Sequence, residues 1–267
     1  MNSIESPLVF FFCICFVNGK PFGLRNTADG TGKYIYNPET QEGYFEGDIS
    51  LDSFRSMRKH QWYRWPKNTL IYEFAETAPY ALDQHERNQV ESAMQHLVNV
   101  INQKGKCITI RKAIPEDGKF YSRVRIMRSG GCHSQVGRVN EGWQTLSLDR
   151  GCTGRGTVMH ETMHSLGLWH EQSRLDRDDY VTIVYENINP GVWSQFNKAR
   201  DMDIDNLNTP YDYNSLMHYG RKWWSKNGRD TIVPKDPTAQ IGVRSEPSEW
   251  DIRKIRILYG CDPKPTV

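Results

Sequence analysis

Three histidines and a glutamate follow one another in the segment His160-Glu161-Thr162-Met163-His164-Ser165-Leu166-Gly167-Leu168-Trp169-His170, which fits HExxHxxGxxH at every specified position. On a helix, residues four apart share one face, so His160 and His164 can aim ring nitrogens at a single ion about 2.0–2.1 Å away. Gly167 allows a sharp turn in a backbone conformation that other residues resist, and this lets His170 return as a third ligand. Three protein ligands leave one position open, which is the arrangement of a catalytic zinc. Glu161, next to the first ligand, is placed to take a proton from water held at that position, because zinc lowers the pKa of such water to about 7. The chemistry implied is metal-assisted hydrolysis with one Zn2+ per subunit. A structural zinc domain would instead call for a fourth protein ligand, and no CxxC spacing offers one. A non-catalytic binding module built on the same scaffold would normally have lost Glu161 or a histidine, and none is lost.

These residues need elements to hold them. Leu70 to Phe74 is a strand candidate, and Asp83 followed by Glu86 resembles a capping box that opens a helix. Val90, Met94, Leu97 and Ile101 then recur at helical spacing as one apolar stripe. Strand signals follow at Cys107 to Arg111, Arg123 to Met127 and Thr145 to Leu148, with Gly-rich turns between them. A mixed sheet packed against helices is implied. After His170 the sequence turns rich in Asp, Asn, Pro and Tyr, until Ser248 and Asp251 mark the cap of a last helix running to about Tyr259.

The chain has 267 residues, 37% hydrophobic and 25% charged, enough for one sizeable domain and an appended segment. Its net charge is +2 with basic residues dispersed, so no electrostatic footprint for nucleic acid is present. The apolar run Leu8 to Val17 is too short to cross a hydrocarbon core of roughly 30 Å, and it suits the h-region of a signal peptide cleaved near Gly19. Residues from about Lys20 to Arg55 lack a sustained apolar period and read as a pro-segment. Cys13 and Cys15 fall within the signal, which leaves Cys107, Cys132, Cys152 and Cys261. In an exported protein these read as two disulfides with three possible connectivities. A secreted, extracellular protein without a membrane anchor is expected.

With Glu171, Arg174 and Asp176-Arg177-Asp178 following the third histidine, the sequence resembles the astacins, a family of zinc metalloendopeptidases in the metzincin clan. The resemblance runs over roughly residues 40 to 261. It implies an α+β metzincin fold: a mixed twisted sheet with two long helices in an N-terminal subdomain, a mostly irregular C-terminal subdomain with a final helix, and an active-site cleft between them. It implies protein or peptide substrates and the pairings Cys107 with Cys261 and Cys132 with Cys152. Ser215-Leu216-Met217-His218-Tyr219 is similar to the family's Met-turn, with Met217 as an apolar floor under the metal and Tyr219 supporting the developing oxyanion. The stretch from Cys132 to Arg138 and on to Leu148 is similar to the region where the family's edge strand receives substrate backbone.

Phe45-Glu46-Gly47-Asp48-Ile49 looks like the family's pro-segment motif, in which the aspartate, here Asp48, takes the open zinc position. The likeness puts a signal peptide at 1–19, a pro-segment at 20–55 and the catalytic domain at 56–267. A trypsin-like protease would cut after Arg55 and free Ser56, whose amino group would pair with Glu171. Astacins commonly begin the mature chain with Asn-Ala or Ala-Ala, whereas this sequence offers Ser56-Met57, with Arg58 and Lys59 as further basic sites. Ile241-Gly242-Val243-Arg244 is similar to the segment that gives a basic residue to the S1′ pocket, so a preference for Asp or Glu at P1′ is expected, held by two parallel hydrogen bonds. Six residues follow Cys261 in this sequence, so an appended EGF-like or CUB-like module is not expected.

Overall fold

A computed structural model of the chain describes residues 44, 46–50, 63–118, 122–139, 142–199 and 205–266. The expected signal peptide, most of the pro-segment, and Arg55 and Ser56 lie outside the described residues.

The N-terminal half is a sheet backed by two helices. Strand β1 (Thr69–Phe74) enters first, and helix α1 (Gln84–Ile101) follows behind a full capping box, in which Asp83 Oδ1 accepts from Glu86 N–H and Glu86 Oε2 from Asp83 N–H, both at 2.9 Å. The apolar stripe of α1 is buried at Val90, Ala93, Met94, Leu97 and Ile101. Strands β2 (Thr109–Lys112), β3 (Arg123–Met127), β4 (Cys132–Ser134) and β5 (Trp143–Leu148) complete the sheet in the order β2-β1-β3-β5-β4. All pairings are parallel except β4 with β5. Strand β2 starts two residues later than the sequence suggests, because the N–H groups of Cys107 and Ile108 donate to Asn102 Oδ1 (2.8 and 3.1 Å) instead of to a neighbouring strand.

Helix α2 (Arg155–Leu166) packs against α1 and is buried at every residue from Val158 to Leu166. A helix interior that includes two histidines, a glutamate, a threonine and a serine is costly unless those groups find partners. α2 ends where Gly167 adopts φ 112°, with Gly167 N–H donating to His164 O (2.8 Å) and Leu168 N–H to Met163 O (3.0 Å), a Schellman closure that reverses the chain. At the other end of α2, Gly156 allows close approach: a Cβ there would lie 1.7 Å from the carbonyl oxygen of Arg244.

The C-terminal half carries little regular structure beyond strands β6 (Val181–Ile183) and β7 (Ile232–Pro234), paired antiparallel, and helix α3 (Glu249–Leu258). It nevertheless has its own core, with Val181, Ile188, Phe196, Tyr219, Trp224 and Ile232 buried together. Helix α3 opens on a second capping box, Ser248 with Asp251. Two disulfides brace the fold, Cys107–Cys261 and Cys132–Cys152, each with Cα atoms 5.6 Å apart. The first joins the segment leading into β2 to the turn that follows α3. The second fixes edge strand β4 to the approach to α2. No helix among the described residues is long and apolar enough to cross a membrane.

Candidate active site

His160 and His164 project from one face of α2, and the turn at Gly167 brings His170 back beside them. The Nε2 atom of His170 lies 3.2 Å from that of His164 and 3.3 Å from that of His160. The edge of a tetrahedron with metal–nitrogen bonds of 2.0–2.1 Å is about 3.3–3.4 Å, so the rings stand at zinc-ligand spacing. Asp48 occupies the fourth corner: Oδ2 is 3.1 Å from His160 Nε2, and Oδ1 is 3.3 Å from His170 Nε2 and 3.7 Å from His164 Nε2. These four buried side chains form one group, among the described residues, that could hold a metal ion.

The outer nitrogens fix the rings. His160 Nδ1 faces Leu216 O at 2.9 Å, His164 Nδ1 faces Leu168 O at 2.8 Å, and His170 Nδ1 faces Glu46 Oε2 at 2.7 Å. Each acceptor requires a proton on Nδ1, which leaves the Nε2 lone pair for the metal. The charges agree with a cation at the centre. Burial and the neighbouring rings push His164 well below the usual imidazole pKa, into the neutral form that binds metal. Burial also lowers His170, but the Asp48 and Glu46 carboxylates override it and raise the ring to about 9. Burial raises the Glu46 carboxyl, whereas the rings hold Asp48 below the usual carboxylate range despite its burial, and a cation set among these ligands would offset its charge.

The segment bearing Asp48 is held against the three histidines by several contacts. Ser134 N–H donates to Asp48 O and Ser50 N–H to Ser134 O, both at 2.9 Å, so residues 48–50 pair in parallel with the outer edge of β4. Ahead of this pairing, Glu46 and Gly47 turn the chain with φ of 51° and 81°. Gln195 grips that turn on both sides, accepting from Gly47 N–H (2.9 Å) and donating to Tyr44 O (2.8 Å). The Tyr44 ring stacks on His133 with centroids 4.2 Å apart. Tyr219, fully buried, donates its hydroxyl to the carbonyl of Glu46. Burial raises its pKa well above the usual phenol value and keeps it a donor. Glu161 is fully buried on α2 beside His160.

The turn at Ser215–Leu216 is held by α3. Asp251 Oδ1 accepts from Ser215 Oγ (2.6 Å) and Oδ2 from Leu216 N–H (2.8 Å), so the helix cap also fixes the residue whose carbonyl orients His160. Met217 is buried in the main core, and its carbonyl accepts from Glu171 N–H at 3.1 Å. Glu171 lies in a charged cluster: Oε1 accepts from Asp212 N–H (2.9 Å) and Arg174 (3.2 Å), and Oε2 pairs with Lys254. A cavity of about 140 Å³ lies against it, lined also by Tyr63, Arg64 and Trp169. Arg244 donates from one guanidinium nitrogen to Leu216 O and His218 O, and its guanidinium carbon lies 4.6 Å from the Trp223 ring centroid.

Sequence reading did not single out Glu46, Gln195 or the second role of Asp251. Glu46 stands inside the Asp48 motif, two residues from the carboxylate, and that proximity was its only signal. Gln195 and Asp251 reach the site through contacts far apart in the chain, which leave no local pattern.

A mixed α+β sheet domain with an HExxH helix, three converging imidazoles and an adjacent buried glutamate defines a zinc metallopeptidase. A model of the Astacin peptidase family matches residues 57–260. The chain belongs to that family, whose members are zinc metalloendopeptidases. It is 37% identical over 238 residues to zinc metalloproteinase nas-15 of Caenorhabditis elegans, covering 83% of this chain but 41% of that protein, so it spans less than half of that relative's length. It is 38% identical over 233 residues to high choriolytic enzyme 2 of Oryzias latipes, covering 84% of this chain and 78% of that one. The solved structure of high choriolytic enzyme 1, a hatching enzyme zinc-protease from the same fish, is similar with a TM-score of 0.62 at 35% identity, over 80% of this chain and 100% of that one.

Proposed function

We propose that the chain is the precursor of a secreted zinc endopeptidase, with an export signal at 1–19, a pro-segment at 20–55 and a catalytic domain at 56–267, held latent by Asp48. The observation that carries this reading is the position of Asp48, in the fourth corner of a three-histidine site and on a segment that covers the edge of β4. A site filled by four protein ligands has no room for water, and a covered edge cannot pair with a substrate. Removing one segment relieves both blocks.

His160, His164 and His170 would hold the zinc ion, which would supply Lewis-acid activation of the scissile carbonyl and ease deprotonation of a water. Glu161 takes that proton as the water oxygen bonds to the carbonyl carbon, and returns it to the leaving nitrogen as the amide C–N bond breaks. The hydroxyl of Tyr219, released from the Glu46 carbonyl, donates to the oxyanion. Ser134 offers the N–H and C=O that now hold the pro-segment, so an extended peptide adds to β4 as a further strand. Met217 underlies the histidines as part of a rigid floor.

Maturation is read as cleavage after Arg55 by a trypsin-like protease, with the new amino group of Ser56 reaching Glu171. The cavity beside Glu171 supports this, since Tyr63 and Arg64 line it and lie a few residues after the proposed start. Arg244 is the candidate for S1′ selectivity. Comparing peptide-library cleavage by the parent enzyme and Arg244→Ala tests it: a weaker preference for acidic P1′ residues is expected, and an unchanged profile removes the assignment.

The whole reading is tested with casein as substrate. The intact chain is expected to be inactive, and trypsin-like cleavage to release activity that a chelator or Glu161→Ala abolishes. Hydrolysis that survives either control overturns it.

A further inference from the structure

The three zinc histidines differ in who supplies the acceptor for their outer nitrogen. His160 and His164 rely on backbone carbonyls of the catalytic domain itself, Leu216 O and Leu168 O. His170 relies on Glu46, a carboxylate of the segment proposed to be removed. Glu46 is fully buried, its own carbonyl accepts from Tyr219, and the adjacent Gly47 N–H is held by Gln195, so the carboxylate is aimed by contacts on both sides of its turn. A carboxylate on the outer nitrogen is a stronger acceptor than a carbonyl, and it makes the inner nitrogen of the ring more basic.

We infer that Glu46 is a positioning residue for the metal: the pro-segment loads zinc as well as masking it, through Asp48 as fourth ligand and Glu46 as the carboxylate that orients and strengthens His170. The inference rests on the pro-segment reading above and adds to it. Cleavage then removes one ligand and one ligand-orienting group together, so zinc binds most tightly to the precursor and is carried over into the mature enzyme. Neither relaxation requires His160 or His164 to move, because their acceptors stay.

The test is a zinc-affinity measurement by chelator competition, made on the full chain in a Glu161→Ala background that prevents self-cleavage. Glu46→Gln keeps the shape of the side chain and removes its charge. It is expected to weaken zinc binding to the intact precursor by about 10–100-fold, and to leave the affinity of the same chain unchanged once the pro-segment has been cut away. Equal affinity of Glu46→Gln and parent precursors overturns the inference. A second comparison keeps Glu46 native: the Asp48→Ala precursor is expected to hold zinc more tightly than the mature form, and equal affinities overturn the inference as well. The Asp48 reading fails separately, by an Asp48→Ala precursor whose zinc affinity matches the parent's, whatever Glu46→Gln does.

Discussion

Replacing Asp251 by alanine removes the acceptor of three donors: Ser215 Oγ at 2.6 Å, Leu216 N–H at 2.8 Å and Ser248 N–H at 3.0 Å. A buried donor left without its acceptor costs about 1–3 kcal/mol, so loss of the whole network is expected to cost about 2–5 kcal/mol. Burial holds the carboxyl at a pKa of about 6, above its usual 3.8, against the pull of Lys254 and of these hydrogen bonds. The sign with pH follows from the raised value. The native state holds the proton more tightly than the unfolded chain, so the contribution of Asp251 is greatest below about pH 4 and declines as pH rises to 6. Leu216 also carries the carbonyl that orients His160, and loosening it should weaken zinc binding by about 10-fold. Denaturant unfolding of the activated enzyme at several pH values, with zinc titration beside it, reads both effects. A loss below about 1 kcal/mol, or unchanged zinc affinity in a clearly destabilised protein, would refute the reasoning.

Three further outcomes are expected. Gln195→Ala removes both clamps on the Glu46–Gly47 turn and should raise the open, protease-sensitive population of the pro-segment about 5–30-fold for a loss of about 1–2 kcal/mol, seen as faster trypsin-like processing; unaltered processing would count against the clamp. Gly156→Ala drives a methyl into the Arg244 carbonyl and should cost about 2–3 kcal/mol in unfolding experiments, whereas a neutral result would mean that the two segments separate freely. His218 accepts from Tyr211 Oη (2.7 Å) and donates to Tyr219 O (2.8 Å), and burial lowers its pKa to about 4. Its neutral form supports the fold above pH 6.5, and up to about 3 kcal/mol is lost as pH falls from 6.5 through 4; His218→Asn should flatten that part of the stability profile, and a profile as steep as the parent's would contradict this.

What the sequence disclosed and what it hid have physical explanations. The histidine spacing was legible because a helix and one glycine turn translate a linear pattern directly into a ligand set. The capping boxes at Asp83 and Ser248 were legible because each closes within three residues. Strand β4 was visible only through family likeness, since Cys132-His133-Ser134 is too short to show alternation. Strands β6 and β7 escaped notice for the same reason, and with them the core around Tyr219 and Trp224, whose members come together from segments far apart. The roles of Glu46, Gln195 and Asp251 depend on contacts to His170, Gly47 and Leu216. A local reading can mark Asp251 as a cap, but it cannot reveal that the carboxylate also holds Ser215 and Leu216.

The central claim is that Asp48 and the three histidines share one zinc ion in the intact chain. Anomalous diffraction recorded across the zinc edge from crystals of the uncleaved precursor tests it most directly. The account predicts a single peak about 2.0–2.2 Å from Nε2 of His160, His164 and His170 and from an Asp48 oxygen, with the Asp48 contact gone after maturation. A peak ligated by the three imidazoles while the Asp48 carboxylate points elsewhere would contradict it.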